Sequence, residues 1–193
     1  MIVVFGGSFN PITNAHLAIA QEVINNIDNV SKIIFVPVGD KYPKKTLISA
    51  NHRLNMLYLA VVKNNLFEIS ENEVKASRRL YTIETLDYIK GLYPNEEIAL
   101  LIGADKIHEI PRWKEAHRLM DDYKIILMNR NGIDLNHFLD KPEYNKENFI
   151  VFNTINIDIS STIIRDYVKQ GKNIQYLTDG DVISYIKKNN LYK

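Results

Sequence analysis

The residues with the clearest chemical potential fall within the first sixteen positions. Gly6-Gly7-Ser8-Phe9-Asn10-Pro11 can form a tight turn whose glycines let the backbone approach a ligand closely. Thr13 and His16 follow, three residues apart, so a hydroxyl and an imidazole share one face of a helical turn. A helix starting near Thr13 or Asn14 offers free amide groups and the positive end of its dipole, which suits an anion such as phosphate. The string has neither the G-x-G-x-x-G dinucleotide fingerprint nor the Gly-Lys-Ser/Thr of a Walker A loop, so a nucleotide substrate is expected rather than a bound dinucleotide. Gly7, Ser8 and Phe9 are candidate nucleotide contacts, and Thr13 and His16 candidate catalytic groups. Taken alone, His16 is equally a helix residue satisfied by a backbone carbonyl.

Further stretches carry groups of a matching kind. Lys41, Lys44 and Lys45 share the segment Gly39–Lys45; lysine supplies point charge to leaving phosphates, although so small a basic cluster is also an ordinary solvated loop. Arg79-Leu80-Tyr81-Thr82-Ile83-Glu84-Thr85 leads into a helix that Thr82 can cap. Gly103-Ala104-Asp105 ends an apolar run with a carboxylate, which is either a ligand contact or a plain cap. Trp113, the single tryptophan, is core or a stacking platform for a flat heteroaromatic ring, and Arg112 and Arg130 could supply charge to a phosphate nearby. Ser160-Ser161-Thr162 opens a helix with hydroxyls that capping alone would explain. Arg165 in its first turns opposes the dipole unless an anion is close, an argument that Asp166 partly offsets. His52 and Arg53 read as structural, holding the start of a helix.

These groups need a scaffold that gathers them. Short apolar runs at Ile2–Phe5, Ile33–Val36, Glu68–Ser70, Ile98–Ile102, Lys124–Met128 and Phe149–Asn153 read as strands. Helical spacing recurs between them, as in Leu17, Ala20, Ile24 and Ile27, then Leu54, Leu57, Tyr58, Val61 and Val62. The alternation predicts the α/β class: a Rossmann-like parallel sheet flanked by helices, one domain over residues 1–193 with a helical portion from about residue 160. Ligands of such sheets bind beyond the carboxyl ends of the strands, where the turns above fall. Three loops stand out: Pro37–Ser49, Ser77–Leu80 and the long polar stretch Arg130–Asn148 with its Asn131-Gly132 turn signal.

Composition narrows the partners. With 24 basic and 23 acidic side chains among 193 residues, there is no global footprint for nucleic acid or an anionic membrane, so phosphate binding must be local. No cysteine is present, which excludes thiolate chemistry and a disulfide framework and fits a reducing, cytoplasmic location. Met1–Phe5 reads as a strand rather than a signal peptide, and no run approaches a membrane span. A homo-oligomer is compatible with these features.

Gly7-Ser8-Phe9-Asn10-Pro11-Ile12-Thr13-Asn14-Ala15-His16 resembles the first signature of the adenylyltransferase superfamily that includes the nicotinamide and nicotinate mononucleotide adenylyltransferases, pantetheine-phosphate adenylyltransferase and small cytidylyltransferases. Ile159-Ser160-Ser161-Thr162-Ile163-Ile164-Arg165 is similar to its second signature, associated with ATP phosphates. The positions of Thr13 and Ala15 are usually histidine and glycine in the bacterial nicotinate enzymes; here the string is similar to the eukaryotic-type nicotinamide enzymes. The Arg79–Leu86 string and the spacing from Gly103-Ala104-Asp105 to Trp113 instead resemble the bacterial nicotinate type. The resemblance runs from residue 2 to nearly the end, with Asp134–Asn148 least covered. It implies roles for Gly103 and Asp105 at adenosine and ribose, Lys44 with neighbouring Lys45 at phosphate, Ser161, Thr162 and Arg165 at the triphosphate, and Tyr81, Thr82, Thr85, Trp113 and Arg130 at the pyridine nucleotide.

The expected reaction is in-line attack of the mononucleotide 5′-phosphate on the α-phosphorus of ATP, with Mg²⁺ bridging the phosphates and no covalent intermediate. His16 would donate to the α-phosphate region. Two alternatives compete: pantetheine-phosphate adenylyltransferase, and a non-catalytic nucleotide sensor on the same fold.

Overall fold

The computed structural model describes residues 1–129 and 134–193. Six strands form one parallel sheet: β1 (Ile2–Gly7), β2 (Lys32–Pro37), β3 (Phe67–Ile69), β4 (Ile98–Gly103), β5 (Lys124–Asn129) and β6 (Phe149–Asn153), in the order β3-β2-β1-β4-β5-β6. All six expected strands are present. Several run one or two residues further toward their carboxyl ends than the apolar runs suggest, into Gly7, Pro37, Gly103 and Asn129. Among the described residues, eight α-helices connect and cover them: α1 (Asn14–Asn26), α2 (Ala50–Val61), α3 (Asn72–Lys75), α4 (Thr82–Leu92), α5 (Ala116–Asp122), α6 (Asn136–Leu139), α7 (Ser161–Lys169) and α8 (Gly180–Lys188), with 3₁₀ helices at Ala104–Arg112 and Lys146–Asn148. Among the described residues, no helix is long and apolar enough to cross a membrane.

The strands read as unbroken apolar runs because both faces are covered. Successive side chains point to opposite faces. On β1, Val3 and Phe5 join one core with Ile19, Val23, Leu57 and Ile183, while Ile2 and Val4 join the other with Ile83, Leu86, Leu119 and Met120.

The order reverses between β1 and β4, which makes that gap the switch point where ligands of this architecture bind. Backbone pairing shows the gap opening. The β1–β4 register ends at Phe5–Leu101, whereas β1–β2 continues to Gly7–Pro37 and β4–β5 to Gly103–Met128. Within the polar stretch expected to be a long loop, residues 134–148 carry more regular structure than their composition suggests. They contain α6, bury Leu135 and Leu139, and anchor Tyr144 by a 3.0 Å bond from its hydroxyl to the Ile107 carbonyl. Three apolar residues at irregular spacing set no period, so the sequence pattern concealed them. Arg130 and the Asn131-Gly132 turn signal lie outside the described residues.

Candidate active site

The first turn leaves β1 and enters α1 through a capping box. Thr13 is the N-cap; its hydroxyl accepts from the His16 backbone N–H at 3.3 Å, and its own N–H donates to His16 Nδ1 at 3.1 Å. The Thr13 hydroxyl also lies 2.7 Å from Nδ1. A backbone N–H can only donate, so Nδ1 of the neutral ring is the acceptor and the proton resides on Nε2. The Thr13 backbone amide thus orients His16 through Nδ1, which leaves the ring N–H on Nε2.

Two side chains of this turn are engaged within the protein. Thr13 is 0% exposed, with its hydroxyl held in the box, where it orients His16. Phe9 is 2% exposed, its ring edge-on to Phe35 and His16 at centroid distances of 5.7 and 5.3 Å; it belongs to the core. That ring explains Gly7, since a Cβ there would meet it at 2.8 Å.

The lysine loop folds back onto this turn. Lys44 and Lys45 are both exposed, and it is Lys44 whose Nζ donates to Ser8 Oγ, at 3.3 Å. Arg53 holds both loops from beneath. It is 0% exposed and donates to the carbonyls of Ile48, Ser8 and Val38 at 3.0, 2.9 and 2.6 Å. Burial pushes its guanidinium below the ordinary arginine range, opposed by Asp40 at 3.7 Å. Its structural reading holds. His52 Nδ1 meets the Tyr185 hydroxyl at 2.9 Å, linking α2 to α8.

The second hydroxyl-rich turn is fastened to the first. Ser160 caps α7 by accepting from Ile163 N–H at 3.3 Å. Ser161 Oγ donates to the Pro11 carbonyl at 2.6 Å, and Arg165 donates to the Asn10 carbonyl at 2.9 Å and to Thr162 Oγ1 at 3.1 Å. Ser161 and one Arg165 donor, expected to face phosphate, thus bind the first turn's backbone, and a second Arg165 donor meets Thr162 of its own helix; Arg165 retains further N–H groups in its fork. The C-terminal segment adds Thr178 Oγ1 to the Ile12 carbonyl at 2.7 Å and the Tyr192 hydroxyl to Asn10 Oδ1 at 2.9 Å.

On the other side of Gly6–Ser8 a cavity of ≈ 520 Å³ opens against β2, β4 and α4. Gly7, Ser8, Tyr81, Thr82, Thr85 and Trp113 all line it, so the sequence-stated ring residues within the described chain do converge. Thr82 does not cap α4; Tyr81 precedes the helix and its N–H donates to the Glu84 carboxylate at 2.8 Å. Arg78, Tyr81 N–H and Lys114 hold the Glu84 carboxyl down to about 2. Asp105 is not part of the wall. Its side chain is 72% exposed and folds over Gly103, where any Cβ would collide with the carboxylate, so it neither caps the 3₁₀ helix, whose cap is Gly103, nor enters the cavity.

The wall also contains Glu73, Lys106, Glu109 and Lys114, which the spacing did not single out, beside Arg79 and Arg112, which it did. The Arg79 guanidinium lies 5.3 Å from the rings of both Tyr42 and Tyr81, and Lys114 Nζ is 4.9 Å from Tyr81, so the mouth is lined by stacked cations and aromatics. A sequence signal for Arg79 existed, because it stands two residues before Tyr81; Glu73 gave none. Among the described residues, no group of three His, Asp or Glu could hold a metal ion.

A parallel six-stranded sheet reversing between β1 and β4, with two capped helix starts bound together at the switch point, defines a nucleotidyltransferase-type α/β protein. The cytidylyltransferase-like family pattern matches residues 4–167. A Clostridium tetani protein named "Probable nicotinate-nucleotide adenylyltransferase" is 35% identical over 98% of both chains, and one of the same name from Caldicellulosiruptor bescii is 36% identical over 100% of this chain and 98% of its own. The Plasmodium falciparum nicotinic acid mononucleotide adenylyltransferase complexed with NaAD superposes with a TM-score of 0.80 at 26% identity, covering 99% of this chain and 96% of that one. The chain belongs to the cytidylyltransferase-like family and is a nucleotidyltransferase enzyme of the adenylyltransferase class in NAD biosynthesis.

Proposed function

We propose that the protein transfers the adenylyl group of ATP to nicotinate mononucleotide, and to nicotinamide mononucleotide, releasing pyrophosphate and the dinucleotide. The observation that supports this most directly is the meeting at Gly7 and Ser8 of two differently built regions: a Trp113-walled cavity, and the turn that leads to His16 and is met by Lys44. A flat ring stacked on Trp113 would direct the 5′-phosphate of its nucleotide toward the first turn. A phosphate oxygen then attacks the α-phosphorus in line, the new P–O bond forms, and the bond to the bridging oxygen breaks to free pyrophosphate. The nucleophile is already anionic, so positioning and charge stabilisation supply the catalysis. In this reading the Nε2–H of His16 donates to an α-phosphate oxygen, Lys44 and the α7 helix start attract the leaving phosphates, and Mg²⁺ enters on the triphosphate. The donor set around the turn, hydroxyls and amides without clustered carboxylates, suits an ion carried by the substrate. Nicotinate-named relatives and the NaAD-bound neighbour support the pyridine choice.

The test offers nicotinate mononucleotide, nicotinamide mononucleotide or phosphopantetheine singly with ATP and Mg²⁺, and measures pyrophosphate. Release is expected with a pyridine mononucleotide and not with phosphopantetheine. No release with either pyridine substrate rejects the reading.

A further inference from the structure

The proposed reaction gives no task to the most enclosed carboxyl of the cavity wall. Glu73, on α3, lines the cavity, and its Oε1 accepts a 2.8 Å hydrogen bond from the Thr85 hydroxyl. Thr85 is 3% exposed and is the one buried polar side chain in the described wall. The other wall carboxyl, Glu109, is paired with Lys106 at 2.9 Å and is partly exposed. Val4, Val36, Leu86 and Leu100 supply an apolar lining. Glu73 and Thr85 are thus the inner polar feature of a space suited to an apolar ring that carries one polar substituent.

We propose that Glu73 is the group with which the cavity distinguishes a ring carboxylate from a ring carboxamide, and so sets the preference between nicotinate and nicotinamide mononucleotide. This rests on the reading of the cavity as the pyridine-mononucleotide site. With Oε1 engaged by Thr85, Oε2 is the oxygen that meets the substituent. An ionised Glu73 offers lone pairs only: a carboxamide N–H can donate to it, and a carboxylate is repelled as a like charge. A protonated Glu73 carries an O–H and can donate to a carboxylate. Burial pushes the Glu73 carboxyl above its ordinary range, while the Thr85 hydrogen bond and the Arg79 charge act against that rise. Tyr42 from the loop after β2, and Lys106, Glu109, Arg112 and Lys114 from the chain after β4, complete the titratable and charged groups of the wall. The sign follows. The neutral form, present at lower pH, favours the carboxylate substrate, and ionisation as pH rises shifts preference to the carboxamide.

The experiment compares kcat/KM for the two mononucleotides, with the intact wild-type protein and with Glu73→Gln, from pH 4.5, the ordinary carboxyl value above which burial raises Glu73, to about pH 8.5. The 5′-phosphate titrates near pH ~6 in both substrates and cancels in their ratio. In the wild type the nicotinate-to-nicotinamide ratio is expected to fall by roughly tenfold across this range. In Glu73→Gln, whose amide still accepts from Thr85 but carries no charge, the ratio should stay flat at the acid-side value. A merely structural Glu73 would lower both values together and leave the slope of the ratio unmoved. A flat wild-type ratio, or an unchanged slope in the variant, overturns the proposal, and the wild-type profile decides it alone should the variant not fold. Turnover of neither mononucleotide by the wild type would instead remove the functional reading beneath it.

Discussion

From Asn10 to Asn14 the chain is tied to distant residues, whereas the cavity wall from Glu73 to Lys114 is built mostly from one stretch of sequence and β-strand floor. The carbonyls of Asn10, Pro11 and Ile12 accept from Arg165, Ser161 and Thr178, and Asn14 bonds to the backbone of Tyr176 and Leu177. Across the cavity mouth, Tyr42, Arg79 and Tyr81 are exposed and held by stacking. The difference matches the tasks proposed for each side. Charge stabilisation of a transition state needs donors fixed in advance, while ring binding tolerates adjustable aromatic and cationic walls.

The contrast predicts a split between turnover and affinity. Replacing His16 with Ala should lower kcat by on the order of 10² to 10³, with the KM of the mononucleotide little changed. Because His16 also closes the capping box, the variant should lose about 1 kcal/mol of stability, which a thermal melt reads separately. Wild-type turnover in a folded His16→Ala protein removes the proposed role. Trp113→Ala should act on the other side, raising the mononucleotide KM by about tenfold or more for a stack worth ~1–3 kcal/mol and leaving the ATP KM in place. A matching rise for ATP would show that the two spaces are not separate. The smallest effect is expected at the lysine loop. Lys44→Ala should raise the ATP KM by about fivefold, on the order of 1 kcal/mol for an exposed charge, and Lys45→Ala should stay within about twofold. Equal effects would mean that the contact between Lys44 and Ser8 does not select the lysine that meets ATP.

The sheet was legible because strands covered on both faces must be apolar throughout, and their carboxyl ends were undershot because Gly7, Pro37, Gly103 and Asn129 break that pattern while still pairing. At the candidate site, spacing picked out segments that the fold brings together, and was a poorer guide to side-chain orientation. Thr13 and Phe9 belong to the same string as His16, yet one closes a cap and the other enters the core, because a motif fixes residue types and leaves side-chain direction to packing. Arg53 was read correctly as structural, although nothing in the chain announces that it joins three carbonyls. Glu73 was invisible for a different reason: α3 is four residues long, too short for periodicity to mark which face meets Thr85. The Thr13 and Ala15 likeness to eukaryotic-type enzymes also gave a weaker guide than the whole chain, whose curated matches include the bacterial nicotinate-named proteins at 35–36% identity.

The bond between Tyr192 and Asn10 spans 182 positions, and those of Ser161, Arg165 and Thr178 span 150, 155 and 166. Contacts this remote close large loops and form late relative to local ones. As the chain emerges from the ribosome, β1 and the glycine turn appear first, but the residues that pin the turn's carbonyls follow only after all six strands have been made. A nascent chain therefore holds the elements of the Trp113-walled cavity well before it holds the finished glycine turn. The portion of the enzyme synthesised earliest is among the last to be set.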